Sequence, residues 1–383
     1  MGESSEGAPV GRRRGYLDWL RGIAVLIMVE AHTFDAWTAP LDRNSSGYRL
    51  FILVGGFGAP AFLFLAGVAF ALAVGARMRK GLAAGEAVRL ARRRGWQIFG
   101  LAFLFRFQSW VISWGPALTL LKVDILNILG LSMLVAAALW GLARTRAARI
   151  ALFAAAAVAV AAVAPAVRAS TAIAALPDPL EWYFHPWPGR SSFTLSPWPA
   201  FLFAGVAVGE WLEGARSAPL EQRVTWQLGA TGMALIAAGY AATFFPPVYD
   251  HGSLWTIAPS FVGVRLGVLL VAMPLAFAWV ARRRGPSWLE EFGVSSLFVY
   301  WIHVEMVYGI VSLALHKRLT LPQVGVAYVA LCVLLFLLVR LKNRTVGDWR
   351  KSGKGTSWVR IRLFIGRMRP AEGSPLGRSQ ETP

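Results

Sequence analysis

Residues 16–37 read YLDWLRGIAVLIMVEAHTFDAW, an apolar stretch of membrane-spanning length that nevertheless carries Asp18, Arg21, Glu30, His32 and Asp35. A charge at the centre of a bilayer costs about 3 kcal/mol even on the lenient insertion scale, so such residues face a protein interior or a wet cavity. Arg21 and His32 are separated by ten residues. Eleven steps of about 100° return almost to the same azimuth, so the two share one helix face, about 16 Å apart along the axis. The stretch therefore places a cation near one membrane surface and a titratable imidazole well inside, pointing the same way.

Composition agrees with a membrane setting. The chain has 383 residues, 56% hydrophobic and 15% charged, with 17 Trp and 23 Phe, a balance foreign to a soluble domain of this size. The reading is an all-α, polytopic integral membrane protein. The basic residues before the first apolar stretch are like those of a signal peptide, but Glu30 and His32 within it and the lack of a small-residue cleavage site mark a retained span. A single Cys332, in an apolar run, allows no internal disulfide and no Cys-based metal site. Neither HExxH, CxxC, a phosphate-cradling Gly-rich loop nor GxSxG occurs, so no metal and no permanently bound cofactor are expected.

Apolar runs predict ten spans, at about 17–38, 50–76, 96–114, 118–142, 148–167, 197–213, 226–246, 259–281, 292–315 and 321–341. They form one domain over 16–342, between a disordered tail, 1–15, and a basic tail, 343–383, whose Trp349, Trp358 and Phe364 suit an anionic lipid surface. Span 5 is an Ala/Val helix without polar groups, read as a spacer or lipid-facing element. Gly205 and Gly209 in span 6 form a GxxxG pair suited to close helix contact. The connection 168–195, rich in Pro and Trp, is long enough to be functional or lid-like. No internal repeat of the kind found in inverted-repeat transporters is visible.

The formal charge of +19 raises the question of nucleic acid, but the cations follow the spans instead. With the tails and alternate loops on one side, and cations at span ends counted with the adjoining loop, 29 Lys and Arg fall there and 7 on the other side, while the remaining three, Arg21, Arg106 and Arg265, lie in spans. That bias predicts both termini in the cytoplasm and no nucleic-acid partner.

On this topology Glu30, His32, Arg106, Asp124, Asn127, Arg265, His303 and Glu305 come from five helices at overlapping depth, which predicts a polar chamber. His32 suits a general base, with Asp35 at i+3 orienting the ring. Its alternative is a helix-packing hydrogen bond. Arg21 fits either a phosphate or a structural pair with Asp18 at i−3. Arg106 and Arg265 either neutralise Asp124 and Glu30 or meet an anionic ligand. His303 and Glu305, two residues apart, point to different faces. His185, His251 and His316 are read as surface residues.

The ordered segments LDWLRGIAVLIMVEAH, FGAPAFLFLAGVAFAL, RRRGWQIFGLAFLFR, DILNILGLSMLV, PWPAFLFAGVAVGE and SSLFVYWIHVEMVYG resemble the transmembrane acyltransferase superfamily, within it the bacterial heparan-α-glucosaminide N-acetyltransferase catalytic-domain proteins. The resemblance spans about 14–312. It implies a multi-pass enzyme of the cytoplasmic (inner) membrane that passes an acyl group, usually acetyl, from cytoplasmic acetyl-CoA or another acyl-CoA to an extracytoplasmic or lipid-linked acceptor. The expected partners are membrane lipid, acyl-CoA and a glycan or glycolipid, with no oligomeric state indicated. In the related acyltransferase-3 group an Arg, ten residues and a His form the functional motif, which Arg21 and His32 match. With the match, Arg21 is the acyl-CoA-binding candidate and His32 the catalytic one; the spacing adds Asp35 as a catalytic candidate, and the shared depth makes Glu30, Arg106, Asp124, Asn127, Arg265, His303 and Glu305 chamber-lining. The lysosomal enzyme resembles this pattern less: it has an Asn at the position of His32 and a His farther along, where this chain has Arg43 and Asn44. Rival readings are a secondary transporter with a buried proton or substrate site and a noncatalytic scaffold.

Overall fold

A computed structural model describes residues 14–113, 115–245, 258–283, 285 and 287–351, without the side chains of 113 and 347–351. His251, most of the basic tail and nearly all of the N-terminal tail lie outside the described residues. The elements are α1 (Gly15–Trp37), α2 (Ser46–Gly55), α3 (Gly58–Arg79), α4 (Ala84–Ser113), α5 (Ile125–Trp140), α6 (Arg146–Ala169), the one-turn α7 (Thr171–Ala174) and α8 (Asp178–Glu181), α9 (Pro199–Gly214), α10 (Ala218–Ala241), α11 (Pro259–Arg282), α12 (Trp288–Val294), α13 (Ser296–Tyr308) and α14 (Leu321–Lys351). Among the described residues there are isolated bridges but no named strand, and the all-α class holds. By contacts the chain divides into residues 1–335 and 336–383, the second carrying the end of α14.

Among the described residues four helical stretches are long and apolar enough to cross a membrane: Ser46–Arg79, Arg146–Ala169, Pro259–Arg282 and Leu321–Val346. The other expected spans differ for local reasons. Helices α5 and α9 have 16 residues each, short of the roughly 20 that a bilayer core requires. Expected span 9 is divided at Ser295 into α12 and α13. Asp124 is not inside a helix but caps α5. Its carboxylate accepts from the backbone N–H of Ile125 at 2.6 Å, while Asn127 accepts from the Asp124 N–H at 2.9 Å, a reciprocal capping box.

Small residues set the closest helix contacts. A Cβ at Gly205 of α9 would overlap the Phe64 carbonyl of α3, and one at Gly67 of α3 the Leu202 carbonyl of α9, so the GxxxG segment is a packing surface. Gly22 and Gly293 do the same for α1 and α12. Helix α1 packs against α2, α3, α11, α12 and α13, with Val25 and Val29 fully buried. The ionisable stretch 16–37 is therefore enclosed by five other helices. By contrast α6 keeps Val158 and Val163 largely exposed, in line with a lipid-facing spacer.

The long connection 168–195 folds back on the bundle. Trp182 is buried against Val123 and Ile128, the Val123 N–H donates to the Arg190 carbonyl at 2.9 Å, and the Leu195 N–H donates to the Tyr183 carbonyl at 2.6 Å. It covers the N-terminal end of α5, where Asp124 sits. His185, expected at the surface, is half-buried inside this fold, joining Glu181 at 2.9 Å and the Val167 carbonyl at 2.9 Å. His316 is likewise half-buried against the Val307 carbonyl.

Candidate active site

Near the C-terminal end of α1, His32 meets His303 of α13, with Nδ1 of His32 2.9 Å from Nε2 of His303. The ring planes are 8° apart and the centroids 5.1 Å apart, the arrangement of two imidazoles joined edge to edge rather than face to face. His303 is fully buried, and its Nδ1 lies 2.8 Å from the Val299 carbonyl. A carbonyl only accepts, so that nitrogen carries the proton. With both rings neutral, Nε2 of His303 is then an acceptor, and Nδ1–H of His32 donates to it. Nε2 of His32 is left with its lone pair. It makes no hydrogen bond among the described residues, and the side chain is only half-buried. One backbone carbonyl thus sets the protonation pattern of two rings and leaves a basic nitrogen open.

The network continues past His303. Tyr300, one turn earlier on α13, packs its ring edge-on to His303 at 5.8 Å and donates its hydroxyl to Asp124 at 2.9 Å. Arg106 of α4 pairs with the same carboxylate oxygen at 2.6 Å. Asn127 donates to the Tyr183 hydroxyl at 3.3 Å, tying α5 to the covering connection. Burial pushes the Tyr183 phenol above its usual range, so it stays protonated at neutral pH. His32, His303, Asp124, Arg106 and Asn127 are thereby brought together from α1, α13, α5 and α4.

Other expected members lie apart. Asp35 is half-exposed and does not orient His32 by a hydrogen bond. Its carboxylate accepts from the Tyr308 hydroxyl at 3.1 Å and faces Arg43 at 3.8 Å. Arg43 also reaches the Asp35 carbonyl and the Thr38 carbonyl, drawing the residue toward the 3₁₀ turn Pro40–Asn44. Tyr308 itself packs edge-on to the His32 ring at 5.5 Å, so Asp35 acts on His32 through an intermediary. Glu30 points elsewhere on α1, toward Gly55, and both its oxygens are buried without a hydrogen-bond partner. The expected Arg265–Glu30 pair is not formed. Arg265 donates to the Gly56 carbonyl at the break between α2 and α3 and stacks on Phe261 at 3.9 Å. Glu305 is half-buried with Oε1 unpartnered, and Arg106 acts on its charge. Arg21 pairs with Asp18 at 2.9 Å beside Gly293, the structural option.

Tyr300, Tyr308 and Tyr183 were missed by sequence reasoning. In apolar segments tyrosines read as core aromatics, and only Tyr300 at i−3 from His303 carried a spacing signal. Among the described residues no group of three or more His, Cys, Asp or Glu side chains converges as a metal site.

Membrane-length apolar helices around a joined pair of histidines with one open nitrogen define a membrane protein with a candidate general base in its interior. Residues 13–241 match the family model described as heparan-alpha-glucosaminide N-acetyltransferase, catalytic, and the chain belongs to that family. It is an N-acetyltransferase-like membrane enzyme. No curated protein matches the chain. His32, Asp35, Arg106, Asp124 and Asn127 lie inside the matched residues, whereas His303, Tyr300, Glu305 and Arg265 lie beyond them.

Proposed function

We propose that the protein moves an acetyl group from cytoplasmic acetyl-CoA to a hydroxyl or amine of an extracytoplasmic or lipid-linked acceptor, a glycan or glycolipid, at the cytoplasmic membrane. The observation that carries this reading is the open Nε2 of His32, backed through Nδ1 by His303. In the reaction, Nε2 takes the proton from the acceptor as its oxygen or nitrogen attacks the thioester carbonyl. The tetrahedral adduct then expels the CoA thiolate, and the imidazolium returns the proton to it. His303 accepts from Nδ1–H throughout and so stabilises the transient charge on His32, a role that the sequence had given to Asp35. Asp35 steadies the ring through Tyr308. Arg21, about 16 Å from His32 along α1, faces the donor's side.

This reading includes ten crossings with both termini in the cytoplasm, supported by the distribution of Lys and Arg. Asp124, Asn127, Arg106 and Glu305 border the reacting region, and Glu30 and Arg265 border the opposite face of α1. Purified protein supplied with radiolabelled acetyl-CoA and an amino-sugar acceptor tests it. Labelled acceptor is the expected product. Absence of both donor binding and transfer, with proton-driven uptake of a solute instead, would replace the enzyme with a transporter.

A further inference from the structure

We propose that His185 is a proton-operated latch, which fastens the connection 168–195 to α6 at acidic pH and releases it at alkaline pH. The latch does not depend on the acyltransferase reading. The ring lies between two oxygens: its Nδ1 is 2.9 Å from Oε1 of Glu181, four residues earlier, and its Nε2 is 2.9 Å from the Val167 carbonyl in the last turn of α6. A carbonyl and an ionised carboxylate only accept, whereas a neutral imidazole has a single N–H. Making both contacts therefore takes one proton more than a neutral ring and a carboxylate carry together, whether it resides on His185 or on Glu181. Without that proton a lone pair faces an oxygen at one of the two contacts. Of the four described histidines only His185 has an oxygen acceptor at each nitrogen. His303 has the His32 ring at its second nitrogen, Nε2 of His32 is open, and His316 uses Nε2 alone.

The surroundings favour the extra proton. Val167 is in the last four residues of a 24-residue helix, whose carbonyl end attracts a cation, and Glu181 is buried. The other charged groups on the elements around the ring are Asp178 and Arg190 of the connection, Arg168 of α6, and Lys122 and Asp124 ahead of α5. Asp124 is occupied by Arg106 and Tyr300. Arg168 and Arg190 oppose a further positive charge, but Glu181 alone of these groups hydrogen-bonds to the ring, so its attraction prevails. The fastened connection thus holds a proton that the released one gives up, and fastening strengthens as pH falls and weakens as pH rises. What is fastened is the segment that covers the N-terminal end of α5. Ser191 donates to the His185 carbonyl at 2.9 Å, and the Arg190 carbonyl between them in this turn accepts from the Val123 N–H. Asp124 at that end meets Tyr300, the neighbour of His303, so the latch lies on the side of the bundle proposed for the acceptor.

Hydrogen exchange on the full chain in phosphatidylcholine nanodiscs tests the latch, measured at about pH 6 and about pH 8.5 and corrected for the intrinsic rate of amide exchange. Between the two, protection of residues 182–191 should fall by about tenfold or more, while that of residues 64–68 in the α3–α9 contact stays constant. Glu181→Gln is the decisive variant. Its amide donates to Nδ1 of a neutral ring whose Nε2–H still reaches Val167, so both contacts persist without the extra proton and the segment should stay as protected at the higher pH as at the lower. In His185→Phe protection should be low at both. A wild-type segment equally protected at both pH values, or a loss shared by residues 64–68, would overturn the proposal. So would a Glu181→Gln variant that loosens with pH as wild type does or is loose at both values, or a His185→Phe variant as protected at the lower pH as wild type.

Discussion

The two ends of the bundle use ionisable residues differently. At the end bearing the N-terminus of α1, Arg14 joins Glu221, Arg79 joins Glu213, and Arg149 joins Glu210, which also accepts from Trp140 at 2.7 Å. Each of these three carboxylates has a guanidinium. At the other end Asp124 is saturated, yet His32 keeps an open nitrogen and Oε1 of Glu305 is buried without a partner. Such pairs fix helix ends to one another. Groups left unpaired beside a joined pair of histidines can bind or react, which is why the chemistry is proposed at the second end.

The comparison is sharpened first by Asp124→Ala. It removes a helix cap and leaves the Arg106 guanidinium and the Tyr300 hydroxyl without their acceptor, so about 3–5 kcal/mol of stability should be lost. Thermal unfolding in detergent measures this, and Asp124→Asn should lose less by keeping the cap. Next is His303→Leu, which leaves Nδ1–H of His32 without an acceptor and the ring free to change tautomer. Acetyl transfer should fall by about 10- to 100-fold at unchanged donor affinity, and His303→Gln, which retains an acceptor, should recover part of it. At the α3–α9 contact, Gly205→Ala forces a methyl onto the Phe64 carbonyl. A loss of about 1–3 kcal/mol is expected, with turnover per folded molecule unchanged. The smallest effect belongs to Asp35→Asn. Because Asp35 reaches His32 only through Tyr308, transfer should drop no more than about threefold. A loss as large as that of His303→Leu would restore Asp35 as the direct orienter.

Much of this was legible in the sequence because charge is so costly in an apolar helix. His32, His303, Arg106 and Asp124 stood out for that reason alone, and the GxxxG segment marked its own packing face. Partner choice was not legible. At i+3 Asp35 lies within about 60° of His32 around the helix, and only the return of Arg43 from the following turn draws it away. The His303 partner is 271 residues away in sequence, a pairing that no local spacing reveals. Span 9 looked continuous because FGVSSLFVY, residues 292–300, carries no charge across the Ser295 break, while the capping role of Asp124 was hidden by the apolar turn before it.

The most direct measurement of the central claim compares the turnover of wild-type protein with that of His32→Ala, with acetyl-CoA affinity determined on the same purified samples. With the open nitrogen as the base, kcat for acetyl transfer falls by about 100-fold or more while donor affinity stays within about twofold. A variant that turns over within about threefold of wild type would contradict the account and return His32 to a packing role.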